Sequence, residues 1–430
     1  MAGCGKMVIT AAWVAPMDAP IIRQGAVVVA DGRIVAVGPA RRLLADHGHG
    51  ACRQDLPEAI LLPGLVNPHT HLELSTCTCG DSAPGSFAEW LLSIRQRMRE
   101  GSQSVADPEQ SVRRAVELGI QQCLRFGVTT VGDISQQMHV TRPVLRDSPI
   151  RAVSFGEVLG LARLRWRFDE LLPRAVDRSM QSSRLRIGLT PHAPYTVDLP
   201  GYRQCLRVAR RRRLPLATHL AETAEEQQFI EHHSGPLREL WEQIGSWVEP
   251  VETFRGGTPV AMAQVIGLLE YPTLLAHVNY CEQSDLELLS RGQASVVYCP
   301  RTHRYFGHPP HRWREMLARG INLAVGTDSC ASSPDLNIVD DLRLLQQIAP
   351  QTPSQALWQL ATVRAARALG MHDSIGSLTI GKHADMVAFP VARSDGEDPL
   401  GAILRDHRMP TGIWIEGKVP VVAQSRAPGG

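Results

Sequence analysis

Ile60-Leu61-Leu62-Pro63-Gly64-Leu65-Val66-Asn67-Pro68-His69-Thr70-His71 is an apolar run that ends in two histidines one residue apart. A run of this length, broken by Pro and Gly and rich in Leu, Ile and Val, reads as a buried strand over 60–67. On an extended chain the side chains alternate with a period of two, so the rings of His69 and His71 point to the same side. Two imidazoles on one side of a strand end are half of a metal site.

Seven further runs of the same kind follow, at 128–133, 151–158, 185–190, 214–218, 273–277, 294–299 and 322–326. Amphipathic stretches separate them, among them 111–126, 201–213, 285–291 and 313–320. Eight strands alternating with helices predict an α/β fold of the (β/α)8 TIM barrel type over 60–372. The two ends read differently. Short strands at 7–10, 25–30 and 33–37 precede the barrel, and 386–389, 412–416 and 418–422 follow it, with turns at Asp31-Gly32 and Glu416-Gly417. Neither end holds enough strands for a stable sheet. Together, 1–59 and 373–430 predict one small β-sandwich domain built from both termini.

The bulk figures fit such an enzyme. At 430 residues and 43% hydrophobic, the chain can bury a large core. Lys and Arg number 45 against 43 Asp and Glu, so charge predicts no nucleic-acid partner. The one dense basic cluster, Arg210 to Arg213, reads as an exposed helix end. Nine cysteines without a CxxC pair predict reduced thiols and a cytoplasmic location. No apolar run approaches membrane-spanning length, so no membrane partner is expected, while a homo-oligomer is compatible with the sequence.

In a (β/α)8 barrel, function collects at the C-terminal ends of the strands. Five of the eight runs end in His or Asp: His69 and His71, then His192, His219, His277 and Asp328. Any one of these could be a hydrogen-bonded structural residue, but five repeating one geometric relationship point to a site. The nitrogen and oxygen donors suit zinc or iron(II).

The motifs PGLVNPHTH at 63–71, THLAE at 218–222, LAHVN at 275–279 and GTDS at 326–329, in that order, resemble the amidohydrolase superfamily. The likeness is to its branch of cytosine/guanine deaminases, adenosine-type deaminases and chlorohydrolases, and it extends to the closing segment Gly376–Asp385. The resemblance implies one divalent ion, zinc or alternatively iron(II), held by His69, His71, His219 and Asp328. It implies that Glu222 shuttles a proton to a heterocycle's ring nitrogen, that His277 orients the attacking water, and that Asp328 is also the base. His192 matches a substrate-contacting histidine. The fourth strand has no lysine near its end, where two-metal relatives carry a bridging one, and this favours a single ion.

Departures from the methylthioadenosine/S-adenosylhomocysteine deaminases narrow the substrate reading. Their ribose-holding acid at the end of a Trp-Leu helix is matched here by Arg99, with Glu100 adjacent. After the seventh strand stands Cys299-Pro300-Arg301-Thr302-His303, closer to the aminodeoxyfutalosine deaminases. Arg301 and His303 are expected as substrate contacts. The long stretch 225–271, with Trp241 and Trp247, reads equally as a lid or as plain packing. The leading expectation is hydrolytic deamination of an aminopurine nucleoside or similar small aminated heterocycle. The alternatives are an s-triazine chlorohydrolase or aminohydrolase, a guanine or cytosine deaminase, and an inactive barrel.

Overall fold

The computed structural model describes residues 5–80, 85–103, 107–249, 251–392, 396 and 398–420, with 98–103 described in backbone only, so that the side chains of Arg99 and Glu100 lie outside the description. The chain opens with β1 (Lys6–Val14), β2 (Ile22–Ala30), β3 (Arg33–Pro39) and β4 (Cys52–Pro63). Eight strands follow: β5 (Leu65–Thr70), β6 (Val128–Ser135), β7 (Arg151–Val158), β8 (Leu185–Pro191), β9 (Leu216–Leu220), β10 (Thr273–His277), β11 (Ser295–Tyr298) and β12 (Asn322–Val325). β13 (Met386–Pro390) and β14 (Gly412–Trp414) close the sequence of strands.

β5 to β12 lie side by side in chain order and all pair in parallel. A parallel bridge between Thr70 and Asp328 brings the two edges together. The barrel therefore closes where His69 and His71 meet Asp328. Its interior is filled by Val66, Ile134, Val153, Phe155, Ala217, Leu274, Ala276, Val297 and Ala324. Ala365, Ala366 and Leu369, on and just after the helix Val363–Ala368, belong to the same cluster and plug the floor. The alternate residues, such as Leu216, Leu275, Val296 and Leu323, pack outward into the larger core beneath the helices. Gly132 lets β6 come close to β5, because a Cβ there would lie 2.2 Å from the Pro68 carbonyl oxygen.

The two ends of the chain combine in one six-stranded mixed sheet, ordered β14-β13-β4-β1-β2-β3. The apolar run that opened the sequence is split at Gly64. Residues up to Pro63 pair with β1 and β13 in the small sheet, and Leu65 starts the barrel. Of the expected strand at 418–422, Lys418 makes a single bridge to Ile415, and 421–422 lie outside the described residues. Arg210 to Arg212 end the helix Leu199–Arg212 and Arg213 caps it, all four exposed as expected. The 225–271 stretch includes the short helices Pro236–Gln243 and Pro259–Ile266 packed on the barrel. Glu225 accepts hydrogen bonds from the Phe87 and Ala88 backbone, and Trp241 Nε1 donates to the Tyr195 carbonyl at 2.7 Å. No helix among the described residues is long and apolar enough to cross a membrane.

Candidate active site

The strand ends converge at the barrel mouth. His71 Nε2 lies 3.2 Å from His219 Nε2 and 3.4 Å from Asp328 Oδ1, and His69 Nε2 lies 3.8 Å from the same oxygen. The His69 ring centroid is 4.9 Å from that of His219 and 5.4 Å from that of His277. Three overlapping sets, His69–His219–His277, His69–His71–Asp328 and Glu222–His277–Asp328, each present donor atoms within 4.8 Å of one another.

Local backbone geometry makes this convergence possible. The pairing register of β5 with β6 shifts between Asn67 and Thr70, which turns His69 and His71 toward the mouth. The Leu72 backbone N–H that follows donates to Asp133 Oδ1 at 2.9 Å, fixing the exit from β5. At the ends of β9 and β10, Ala221, His277 and Val278 have φ of 51°, 73° and 52°, and Asp328 has 58°. Left-handed backbone at non-glycine residues is costly and is retained where surrounding structure enforces it, commonly at functional sites. Here it breaks the strand alternation so that His277 and Asp328 face the centre. Glu226 accepts from the backbone N–H of both Ala221 and Glu222 at 2.8 Å, which holds the turn carrying Glu222.

The electrostatics favour neutral imidazoles. Burial holds the pKa of His69 and His219 well below the usual histidine range and brings His71 and His277 down to about 4. The neutral ring is the form that binds a metal. His219 Nδ1 lies 3.0 Å from the His192 carbonyl, so its proton sits there and Nε2 points at the centre. Both ring nitrogens of His69 are buried without a hydrogen-bond partner, a costly state that a bound cation relieves at one of them. The residues present therefore fit a divalent ion held by His69, His71, His219 and Asp328. Asp328 Oδ2 accepts from Ser332 Oγ at 2.9 Å, leaving Oδ1 toward the histidines.

Glu222 is 5% exposed and stands with Oε1 3.5 Å from His277 Nε2. Burial first, and then the charge of Asp328, push its pKa well above the usual carboxylate range, which favours the protonated form. His192 stands beside the histidine cluster, its ring centroid 4.9 Å from that of His219, and its Nδ1 lies 2.8 Å from Thr196 Oγ1.

A cavity of about 110 Å³ opens over these groups, lined by His71, His192, His219, Glu222 and Asp328 on one side and by Phe87, Trp90, Leu91 and Ile94 on the other. A second cavity of about 670 Å³ adjoins it, sharing Leu91, Ile94, Gln136, His192 and Tyr195. Leu240, Trp241 and Ile244 from the 225–271 stretch line this outer space, so that stretch both packs and shapes the entrance.

The expected contacts at Arg301 and His303 need correcting. The Arg301 guanidinium is buried against Asp341 at 3.0 Å and Asp335 at 2.6 Å, and its cation is fully occupied there. His303 Nε2 lies 2.8 Å from the Pro309 carbonyl, and neither residue lines the two cavities described. Both hold the turn after β11 in place. Conversely, Glu157 at the end of β7 lines the inner cavity and was not anticipated. Its position at the end of a barrel strand was the available signal.

The family model described as "Amidohydrolase family" matches residues 60–419. A 5-methylthioadenosine/S-adenosylhomocysteine deaminase of Syntrophobacter fumaroxidans is 31% identical over 84% of this chain and 79% of its own length. An adenosine deaminase from Xanthomonas campestris, solved with bound zinc, is 26% identical with a TM-score of 0.79, covering 96% of this chain and 92% of that one. Helicobacter pylori aminofutalosine deaminase shares the fold at a TM-score of 0.83 and 22% identity, over 97% of this chain and 100% of that one. With the family model matching residues 60–419, and a relative 31% identical over 84% of the chain, this chain belongs to the amidohydrolase family.

Proposed function

We propose that this protein is a zinc-dependent hydrolase that replaces the 6-amino group of an adenosine-type nucleoside with oxygen, releasing ammonia. The observation that carries the reading is Glu222, a buried carboxyl that lines the cavity beside the histidine cluster, 3.5 Å from His277, with its pKa pushed up by burial. The nitrogen and oxygen donors suit zinc, and a zinc-bound relative supports the choice. An ion held by His69, His71, His219 and Asp328 supplies Lewis-acid activation of water at neutral pH.

The protein's own groups account for the proton traffic. Asp328, at the centre, accepts the proton of the attacking water. His277, whose Nε2 has no hydrogen-bond partner, orients that water. Glu222 delivers its proton to the ring nitrogen next to the attacked carbon, where negative charge develops. The departing amine then takes the proton that Asp328 received and leaves as ammonia as the carbon–nitrogen bond breaks. The added hydroxyl gives up its remaining proton, which restores Glu222. His192 faces the same cavity and contacts the base.

The outer cavity has room for a substituent on the sugar, in keeping with the 5′-thioether nucleosides named for the Syntrophobacter relative. The test is a panel of 6-aminopurine nucleosides and chloro-s-triazines assayed for ammonia and for chloride. Ammonia from the nucleosides is expected. Chloride from the triazines with no ammonia from any nucleoside would overturn the reading.

A further inference from the structure

Glu157 is 2% exposed, lines the inner cavity, and has no hydrogen-bond partner on either carboxylate oxygen. Apart from Glu222, the other buried acids of the mouth are answered by the protein. Asp133 takes Leu72 N–H and Ser135 Oγ, Glu73 takes Gln137 N–H and Thr141 Oγ1, and Glu226 takes two backbone N–H groups. A buried carboxylate left unanswered costs several kcal/mol, roughly, and such groups call for a missing donor.

The neighbour of Glu157 does not supply one. His192 Nε2 lies 3.8 Å from Oε1, beyond hydrogen-bond range. Thr196 Oγ1 accepts from Ala193 N–H and lies 3.1 Å from the Ala193 carbonyl, which takes its one proton. His192 Nδ1 therefore donates to Thr196, and Nε2 faces the cavity as an acceptor. Two acceptors, His192 Nε2 and a Glu157 oxygen, stand side by side in the pocket and await donors from a ligand.

We propose that Glu157 is a specificity-determining residue that binds the paired hydroxyls of the substrate's sugar. This rests on the nucleoside reading above. With the reacting carbon at the metal ligands, the sugar lies on the far side of the base, past His192. Glu157 lines the cavity beside His192, 3.8 Å from its Nε2, and the His192 ring in turn stands next to that of His219. A vicinal diol offers two donors to the two carboxylate oxygens. A deoxygenated sugar offers none and leaves the charge unpaired.

The test uses the zinc-loaded full chain and calorimetric binding of inosine and 2′,3′-dideoxyinosine, ligands that need no turnover. Wild type is expected to bind inosine about 10- to 100-fold more tightly, the worth of hydrogen bonds to a charged acceptor. Glu157→Gln should shrink that preference to within about threefold while metal content and affinity for the dideoxy compound stay unchanged. Equal binding of the two ligands by wild type, no binding of either, or a preference that survives in Glu157→Gln would overturn the proposal. Ammonia assays on the matching adenosines separate the two readings. A diol preference with no deamination sinks the proposed function and leaves this inference standing, whereas equal deamination with and without the hydroxyls does the reverse.

Discussion

Glu222 and His192 show how burial assigns roles to single side chains. Glu222→Gln keeps size and hydrogen bonding but has no acidic proton to give. Deamination by that variant should fall about 10²- to 10⁴-fold, the usual worth of general acid–base catalysis, with metal content unchanged in elemental analysis. His192→Ala should keep its metal and lose kcat/KM, because its ring faces the cavity while its backbone carbonyl, which orients His219, remains. Loss of metal in that variant would place His192 among the ligands. The proposed ligands were legible as candidates because each stands where an apolar run stops, a place with no packing reason for a polar group. Arg301 misled because its partners Asp335 and Asp341 lie 34 and 40 residues further along, so nothing local reveals that its charge is already used. Glu157 hid for the opposite reason: it sits one residue before the end of a buried strand, and only the fold shows that both its oxygens lack partners.

At the scale of elements, the turns after the strands do the aiming. The turn after β9 is held by Glu226, whose two oxygens answer two buried N–H groups. Glu226→Ala leaves both unpaired and frees the turn that carries Glu222, the proposed proton donor. Stability should drop by roughly 2–4 kcal/mol in urea denaturation, and turnover should fall with it. Unchanged stability would mean that the turn is held by other contacts. Periodicity gave the barrel strands within a residue or two, since strands buried on both faces read as continuous apolar runs. It could not see that 60–67 spans two elements. Leu61 and Leu62 are as buried as Leu65 and Val66, and only their pairing with β13 places them in the small sheet. The left-handed residues at 221, 277, 278 and 328 were equally invisible, because none of them is the glycine or asparagine that usually announces such backbone.

The whole molecule joins its two parts at the end of the barrel opposite the site. Arg151, 1% exposed at the start of β7, pairs with Asp385 at 3.1 Å and with Glu416 at 3.2 Å, both from the returning C-terminal segment. Arg151→Met strips the buried Asp385 of its cation and should cost about 3–5 kcal/mol. Thermal unfolding checks the loss, and one metal per folded chain should remain, since the mouth is untouched. The most direct test of the account is the rate of ammonia release from adenosine as zinc is added back to chelator-stripped protein. A single centre built from His69, His71, His219 and Asp328 predicts no activity without metal and a linear rise that saturates at one equivalent per chain. Saturation only at two equivalents, or full activity in the stripped protein, would contradict it.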